Sequence, residues 1–196
     1  MNLEKVIRNL TLRGHTVQFF PKAEDALTYL CKQIHDTEVG IGGSKTVEQL
    51  GLYDRLSENN IVYWHWRNKD ASIRQKENAA PVFISSVNAL AESGEIINID
   101  GTGNRLAGQV YGRKKVYFVV GTNKICPSLE SAISRARNVA GVQNAARFPV
   151  DTPCKQDGKC HDCRVPGKVC NAMLILWGPM SGMETEVVLI DGEYGY

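Results

Sequence analysis

Short apolar runs alternating with amphipathic helical segments constrain this chain more than any other feature of its sequence. Residues 17–20, 39–41, 61–64, 81–85, 95–99 and 116–120 each read as a strand bounded by glycine, proline or polar turn residues. Between them the period changes from two to about three and a half. Leu3, Val6, Ile7 and Leu10 recur on one helical face before Gly14 ends the helix, and Ala26, Leu27, Leu30 and Ile34 do the same over 23–34. Leu129, Ile133, Ala136 and Ala140 mark a further helix from residue 128 onward. A polar helix is expected over 69–77. Strands that alternate with helices predict an α/β fold: an open, mostly parallel sheet with helices on both faces.

The buried runs 39–41, 82–85, 96–99 and 116–120 are expected in that one sheet. The last two, 172–177 and 186–190, are expected to close it as a strand pair. No linker, internal repeat or low-complexity tract divides residues 1–196, so one domain is expected. With 43% hydrophobic and 22% charged residues, a chain of 196 residues can build a core without disulfide staples. The net charge of +2 is spread among interspersed acids and bases, which argues against a nucleic-acid footprint. The run Arg113-Lys114-Lys115 reads as the solvated start of a strand. There is no signal-peptide core at the N-terminus and no run near the roughly 18 apolar residues of a membrane span. A cytoplasmic setting, in which thiols stay reduced, is the expectation.

In that setting the cysteines carry chemical information. Cys154, Cys160, Cys163 and Cys170 form C-x5-C-x2-C-x6-C inside a loop, 152–171, rich in Gly and Pro and poor in apolar residues. Such a loop cannot fold on burial alone, whereas metal ligation contributes directly to folding. Lys155, Lys159, Arg164 and Lys168 flank the thiols and favour thiolates. Four thiolates suit tetrahedral zinc or an iron–sulfur cluster, and the spacing does not choose between them. His161 is a possible substitute ligand. The alternative is a loop of four reduced cysteines without metal. Cys31, on a helix, and Cys126, before Pro127 in a turn, read as structural.

Two polar loops point to a ligand crevice. Gly42, Gly43, Ser44 and Thr46 follow a strand and open a helix, the place where α/β sheets bind ligands and where an anion finds free N–H groups. The segment 88–105 adds Asn88, Gly101, Gly103, Asn104 and Arg105 as ligand-binding candidates. Its carboxylates Glu92, Glu95 and Asp100 are the catalytic candidates. The plainer reading makes Asp100 or Thr102 a helix cap and the glycines backbone devices. His65, between Trp64 and Trp66, reads as a packed strand residue. A small anion is the expected ligand.

Taken together, GIGGSKTVEQLGL, NALAESGEIINIDGTGNR, GRKKVYFVVGTNKI, RARNVAGVQNAAR and the cysteine loop resemble the lactate-utilization (LUD) domain family. The resemblance runs from about Gly42 to the C-terminus. It implies a fold similar to the ribose-phosphate isomerase and CoA-transferase superfamily. Members resembling lactate utilization protein C act with iron–sulfur partner subunits in oxidising L-lactate to pyruvate. By that resemblance the chain is an accessory or ligand-binding subunit of lactate, or related organic-acid, oxidation with its own four-cysteine centre. Two other readings stay open: a free-standing isomerase or CoA-transferase-like enzyme using Glu92 or Glu95, and a zinc-stabilised interaction module.

Overall fold

The computed structural model describes residues 2–196. In chain order its strands are β1 (Thr16–Phe20), β2 (Glu38–Ile41), β3 (Ile61–Tyr63), β4 (Val82–Ser85), β5 (Ala89–Ala91), β6 (Ile96–Asp100), β7 (Lys115–Gly121), β8 (Ile125–Cys126), β9 (Ala172–Leu176) and β10 (Glu184–Ile190). The helices are α1 (Leu3–Leu12), α2 (Ala23–Gln33), α3 (Lys45–Gln49), α4 (Leu52–Leu56), α5 (Ile73–Ala79), α6 (Asn104–Val110), α7 (Leu129–Arg135), α8 (Val142–Ala146) and α9 (Cys154–Asp157).

Six strands form the main sheet in the order β1-β10-β7-β4-β2-β3, and every neighbouring pair is parallel. The two-residue period of a strand sorts its side chains to opposite faces. Along β7, Tyr117 and Val119 pack with α2, α3 and α4 through Leu27, Leu30, Val47 and Leu52. Val116, Phe118 and Val120 point the other way, toward Val6 and Leu10 of α1. Each fully buried Leu or Ile in these layers contributes roughly 1.5–3 kcal/mol over leaving it exposed. Helices on both faces of a parallel sheet match the α/β architecture expected from the sequence.

Two details differ. The run 96–99 does not join this sheet. As β6 it lies in a second, four-stranded sheet, β8-β5-β6-β9, antiparallel to both β5 and β9. Nor do the last two runs pair with each other: β9 edges the second sheet, while β10 sits inside the main sheet between β1 and β7. Short apolar runs announce burial but not the partner. The second sheet fills the space under the main one, with Leu90, Ile96 and Leu176 against Phe83 and Phe118. Its other face packs on α7 through Ala89, Ala91 and Ile97 against Ala132 and Ala136.

The helix expected from residue 128 forms as α7 but passes into a π-helical turn, Ala136–Gly141, before α8. The polar helix is α5, displaced toward the C-terminus of the expected range. Cys126 lies in β8 and not in a turn, and is buried. Among the described residues, no helix is long and apolar enough to cross a membrane.

Candidate functional site

The C-terminal ends of β2, β3, β4, β6 and β7 open onto one cleft of about 380 Å³. Gly43, Ser44, Lys45 and Thr46 line it after β2, His65 and Trp66 after β3, and Ser86 and Asn88 after β4. Asp100, Thr102, Asn104 and Arg105 follow β6, and Lys124 follows β7. The π-helical turn brings Ala140 and Gly141 to the same wall, with Asn144 and Arg147 beyond it. The two polar loops singled out in the sequence therefore meet, as loops at strand ends of an α/β sheet do.

Their side chains are used differently from the expectation. Ser44 caps α3, its hydroxyl accepting from the Val47 N–H at 3.2 Å. Asp100 accepts from the N–H groups of Gly101 at 2.8 Å and Arg105 at 3.1 Å, and its carboxylate lies 3.5 Å from Arg105 Nε. Asp100 thus serves as counter-ion to Arg105 and acceptor for N–H groups of the turn, while the N-cap position of α6 is Gly103. Asn88 is likewise committed, accepting from Ile99 N–H at 2.6 Å. Gly42, Gly101 and Gly103 do not line the cleft. Gly42 lets Arg105 and Phe83 pack close, since a Cβ there would lie 2.8 Å from Arg105 Cγ. Gly101 touches the Val169 carbonyl, and Gly103 takes φ +88° before α6. Asn104 does face the cleft with a buried amide nitrogen that has no protein partner.

Glu92 and Glu95 are not at this site. They lie at the turn of the β5–β6 hairpin, the opposite end from Asn88 and Asp100. Glu92 accepts from Asn2 N–H at 3.1 Å and Lys5 Nζ at 3.2 Å. Glu95 pairs with Arg13. Both anchor the second sheet to α1 and its flank, so the structure does not bring them together with the other candidates.

Three side chains passed over in the sequence reading are central. His65 faces the cleft, and its Nδ1 donates to Glu77 Oε1 at 2.6 Å. Glu77 is wholly buried in α5, and its second carboxylate oxygen has no protein partner. Lys124 is 3% exposed, and its Nζ donates to Thr46 Oγ1 at 2.8 Å and Ser86 Oγ at 3.0 Å. Burial, then the charges of Arg135 and Arg105, pull its pKa down to about 7. Lys124 lies in the GRKKVYFVVGTNKI segment but was not singled out there, and His65 lies in no quoted motif; only the fold shows what either side chain meets. The alternation TyrTrpHisTrp at the end of β3 gives no sign that the histidine turns outward.

The cleft is cationic. Lys45, Arg74, Arg105, Lys124 and Arg147 line it against a single acidic side chain, Asp100. Arg147 lies over the Trp66 ring at 4.3 Å. Such a surface suits an anion.

The cysteine loop forms the adjoining wall. Cys154, Cys160, Cys163 and Cys170 line a second cavity of about 330 Å³, and Cys170 borders the first as well. None of the six cysteines is in a disulfide. Among the described residues, no three His, Cys, Asp or Glu side chains are gathered as ligands for one metal ion. The Cys170 thiol is raised above its ordinary value by burial and then by Cys160, Cys154 and Cys163. His161 is engaged by Asp157 at 2.9 Å. Asn171 ties the loop to the cleft, donating from its N–H to Asp100 O and from its amide to Gly101 O, each at 2.9 Å.

Comparison with known proteins sets this geometry in context. A model of the LUD domain matches residues 3–190. The uncharacterized protein YkgG of Escherichia coli strain K12 is 34% identical over 77 residues, 39% of this chain and 33% of that protein. The chain thus matches about a third of that relative's length. A DUF162 family protein from Deinococcus radiodurans superposes with a TM-score of 0.55 at 12% identity, covering 97% of this chain and 96% of that one. That likeness is one of fold. The structure of eIF2B beta from Chaetomium thermophilum reaches a TM-score of 0.33 at 15% identity, over 65% of this chain and 44% of that one.

Proposed function

The chain belongs to the LUD domain family, which is associated with lactate utilization, and on that premise we propose that its cleft binds a small organic acid of the lactate and pyruvate class. The charge of the cleft supports this reading: the cations Lys45, Arg74, Arg105 and Arg147, with the Lys124 amine, line it against one carboxylate, and that carboxylate is already paired with Arg105. A volume of about 380 Å³ lies near the lower end of small-molecule sites. The unpartnered Asn104 amide adds a donor for a ligand oxygen. In this reading Arg147 and Arg105 hold the carboxylate, and His65, braced by Glu77, faces the C2 substituent.

We further infer that Cys154, Cys160, Cys163 and Cys170 hold a metal centre beside that ligand. Four thiols line one cavity, although among the described residues no three are gathered as ligands for one ion. Of the two centres that four thiolates suit, tetrahedral zinc or an iron–sulfur cluster, the accessory-subunit reading takes the cluster. Arg137 stands beside Cys160. A bound cluster would supply one-electron transfer. The protein then serves as an accessory subunit of organic-acid oxidation, passing electrons to iron–sulfur partner subunits.

Calorimetric titration with L-lactate and with pyruvate at low ionic strength tests the cleft. Saturable heat that weakens as salt is added is expected. Absence of binding for both acids would remove this reading.

A further inference from the structure

Lys124 differs from the other cations of the cleft in being buried without a counter-ion, whereas Arg74 and Arg147 are exposed. Arg105 has Asp100 as its counter-ion, and Lys45 has Glu48. The Lys124 amine meets only hydroxyl oxygens, Thr46 Oγ1 and Ser86 Oγ, and no carboxylate pairs with it among the described residues. The Thr46 hydroxyl sends its own hydrogen to the Tyr194 carbonyl at 3.1 Å, so its oxygen is left to accept from the lysine. The guanidinium groups of Arg105 and Arg135 act on the amine from β6–α6 and from α7. Burial without a counter-ion, beside two fixed positive charges, disfavours an ammonium. A neutral amine that donates two N–H groups to two hydroxyl oxygens keeps its lone pair for a third partner.

We propose that Lys124 is the nucleophile that forms an imine with the C2 carbonyl of a small 2-oxo acid seated in this cleft. The proposal rests on the organic-anion reading above and narrows it to the keto form of the acid. The amine lone pair bonds to C2 while the carbonyl π pair moves to oxygen, which takes a proton to give the carbinolamine. The nitrogen then loses its remaining proton and the hydroxyl leaves as water, forming C=N. One amine and one ketone become one imine and one water, with no change of oxidation state. His65 lines the same cleft with its ring fixed by Glu77, and its other ring nitrogen takes up the proton that the amine sheds and returns it to the departing hydroxyl. The carboxylate of the same molecule meets Arg105 and Arg147. With a lysine pKa of about 7, the nucleophile is available at neutral pH, where surface lysines near 10.5 are protonated.

Trapping on wild-type protein tests this directly. Sodium pyruvate is added with sodium cyanoborohydride near neutral pH, and adducts are read by intact mass and peptide mapping. One reduced pyruvyl adduct on the peptide carrying Lys124 is expected, formed faster as pH rises through about 7. It should be lost in Lys124→Arg, whose guanidinium does not form the imine. Adducts spread over surface lysines, or an equal adduct in Lys124→Arg, overturn the proposal. Calorimetry with L-lactate, which has no keto carbonyl at C2, separates the two claims. Lactate binding without an adduct overturns the lysine and keeps the anion cleft. An adduct on Lys124 without lactate binding keeps the lysine and overturns lactate as a ligand. Neither result overturns both.

Discussion

The imidazole Nδ1 of His65 donates to the wholly buried carboxylate of Glu77 at 2.6 Å, and this one contact fixes which ring nitrogen faces the cleft. Glu77 is placed by backbone fit. Its own carbonyl oxygen lies 2.0 Å from where a Cβ on Gly40 would stand. Strand β2 therefore admits α5 only because residue 40 has no side chain.

Gly40→Ala should accordingly push α5 off β2 and carry the Glu77 carboxylate away from His65. A destabilisation of about 1–3 kcal/mol or more is expected, as for other overpacked cores. Urea unfolding measures the loss, and nitrogen shifts of the His65 ring report the freed tautomer. An alanine variant of wild-type stability with an unchanged ring spectrum would contradict this account of the dyad.

A second histidine sets the acid limit of the fold. His15 is 2% exposed, with Nδ1 against Thr185 Oγ1 and Nε2 buried without a partner. Burial, then the charge of Arg13, lowers its pKa from 6.5 to about 4. Between those values the unfolded chain binds more protons than the folded one, so stability falls as pH drops from 6.5 toward 4. A shift of that size corresponds to about 3 kcal/mol, lost completely below the folded value. His15→Gln should flatten this part of the stability profile, read by denaturant unfolding at pH 7 and pH 4.5. An unchanged slope would show that other groups carry the acid sensitivity.

How much of this could be read from the sequence depends on whether the signal is local. The period of Val116, Phe118 and Val120 against Tyr117 and Val119 marks a strand buried on both faces, and it is one. The same kind of run at Ile96 and Ile97 carries no mark of which sheet takes it. That choice is made by Phe83, Phe118 and Leu90, distant in sequence. Ser44, Asp100 and Arg105 were visible as a polar cluster, because turn residues after strands announce themselves. Lys124 and His65 were not, since their chemistry comes from burial and from Thr46, Ser86 and Glu77 meeting them in space. Glu92 and Glu95 were candidates for their place in the polar segment 88–105, and nothing local shows that their partners are Lys5 and Arg13, some 80 to 90 residues away in the chain.

Arg147 offers a test of the anion site that leaves the core alone. It is exposed, and its guanidinium lies over Trp66 at 4.3 Å. Arg147→Ala should change stability little. Losing one charge-assisted contact to a carboxylate should weaken binding of L-lactate or pyruvate about tenfold. Trp66 emission should shift as the cation leaves its ring. Equal affinities in variant and wild type would place the ligand away from this wall.

The cysteine loop provides the last prediction, because it is joined to the cleft at two points. Cys170 borders both cavities, and Asn171 holds the Asp100 and Gly101 carbonyls. A metal centre on Cys154, Cys160, Cys163 and Cys170 would stiffen that wall, since metal binding to a loop poor in apolar contacts is folding free energy. Cys160→Ser removes one ligand and the neighbour of Arg137 with little change in volume. In anaerobically prepared protein it should lose iron and visible absorbance, unfold at lower temperature and bind the cleft ligand more weakly. Cys31→Ser, which alters a half-buried thiol packed behind the main sheet, should leave iron content and ligand affinity alone. If Cys160→Ser keeps its metal content, melting temperature and affinity, the four thiols do not share a centre. The wall is then held by Asn171, Val169 and the Arg137–Asp162 pair, which the same protein can test through Asn171→Ala.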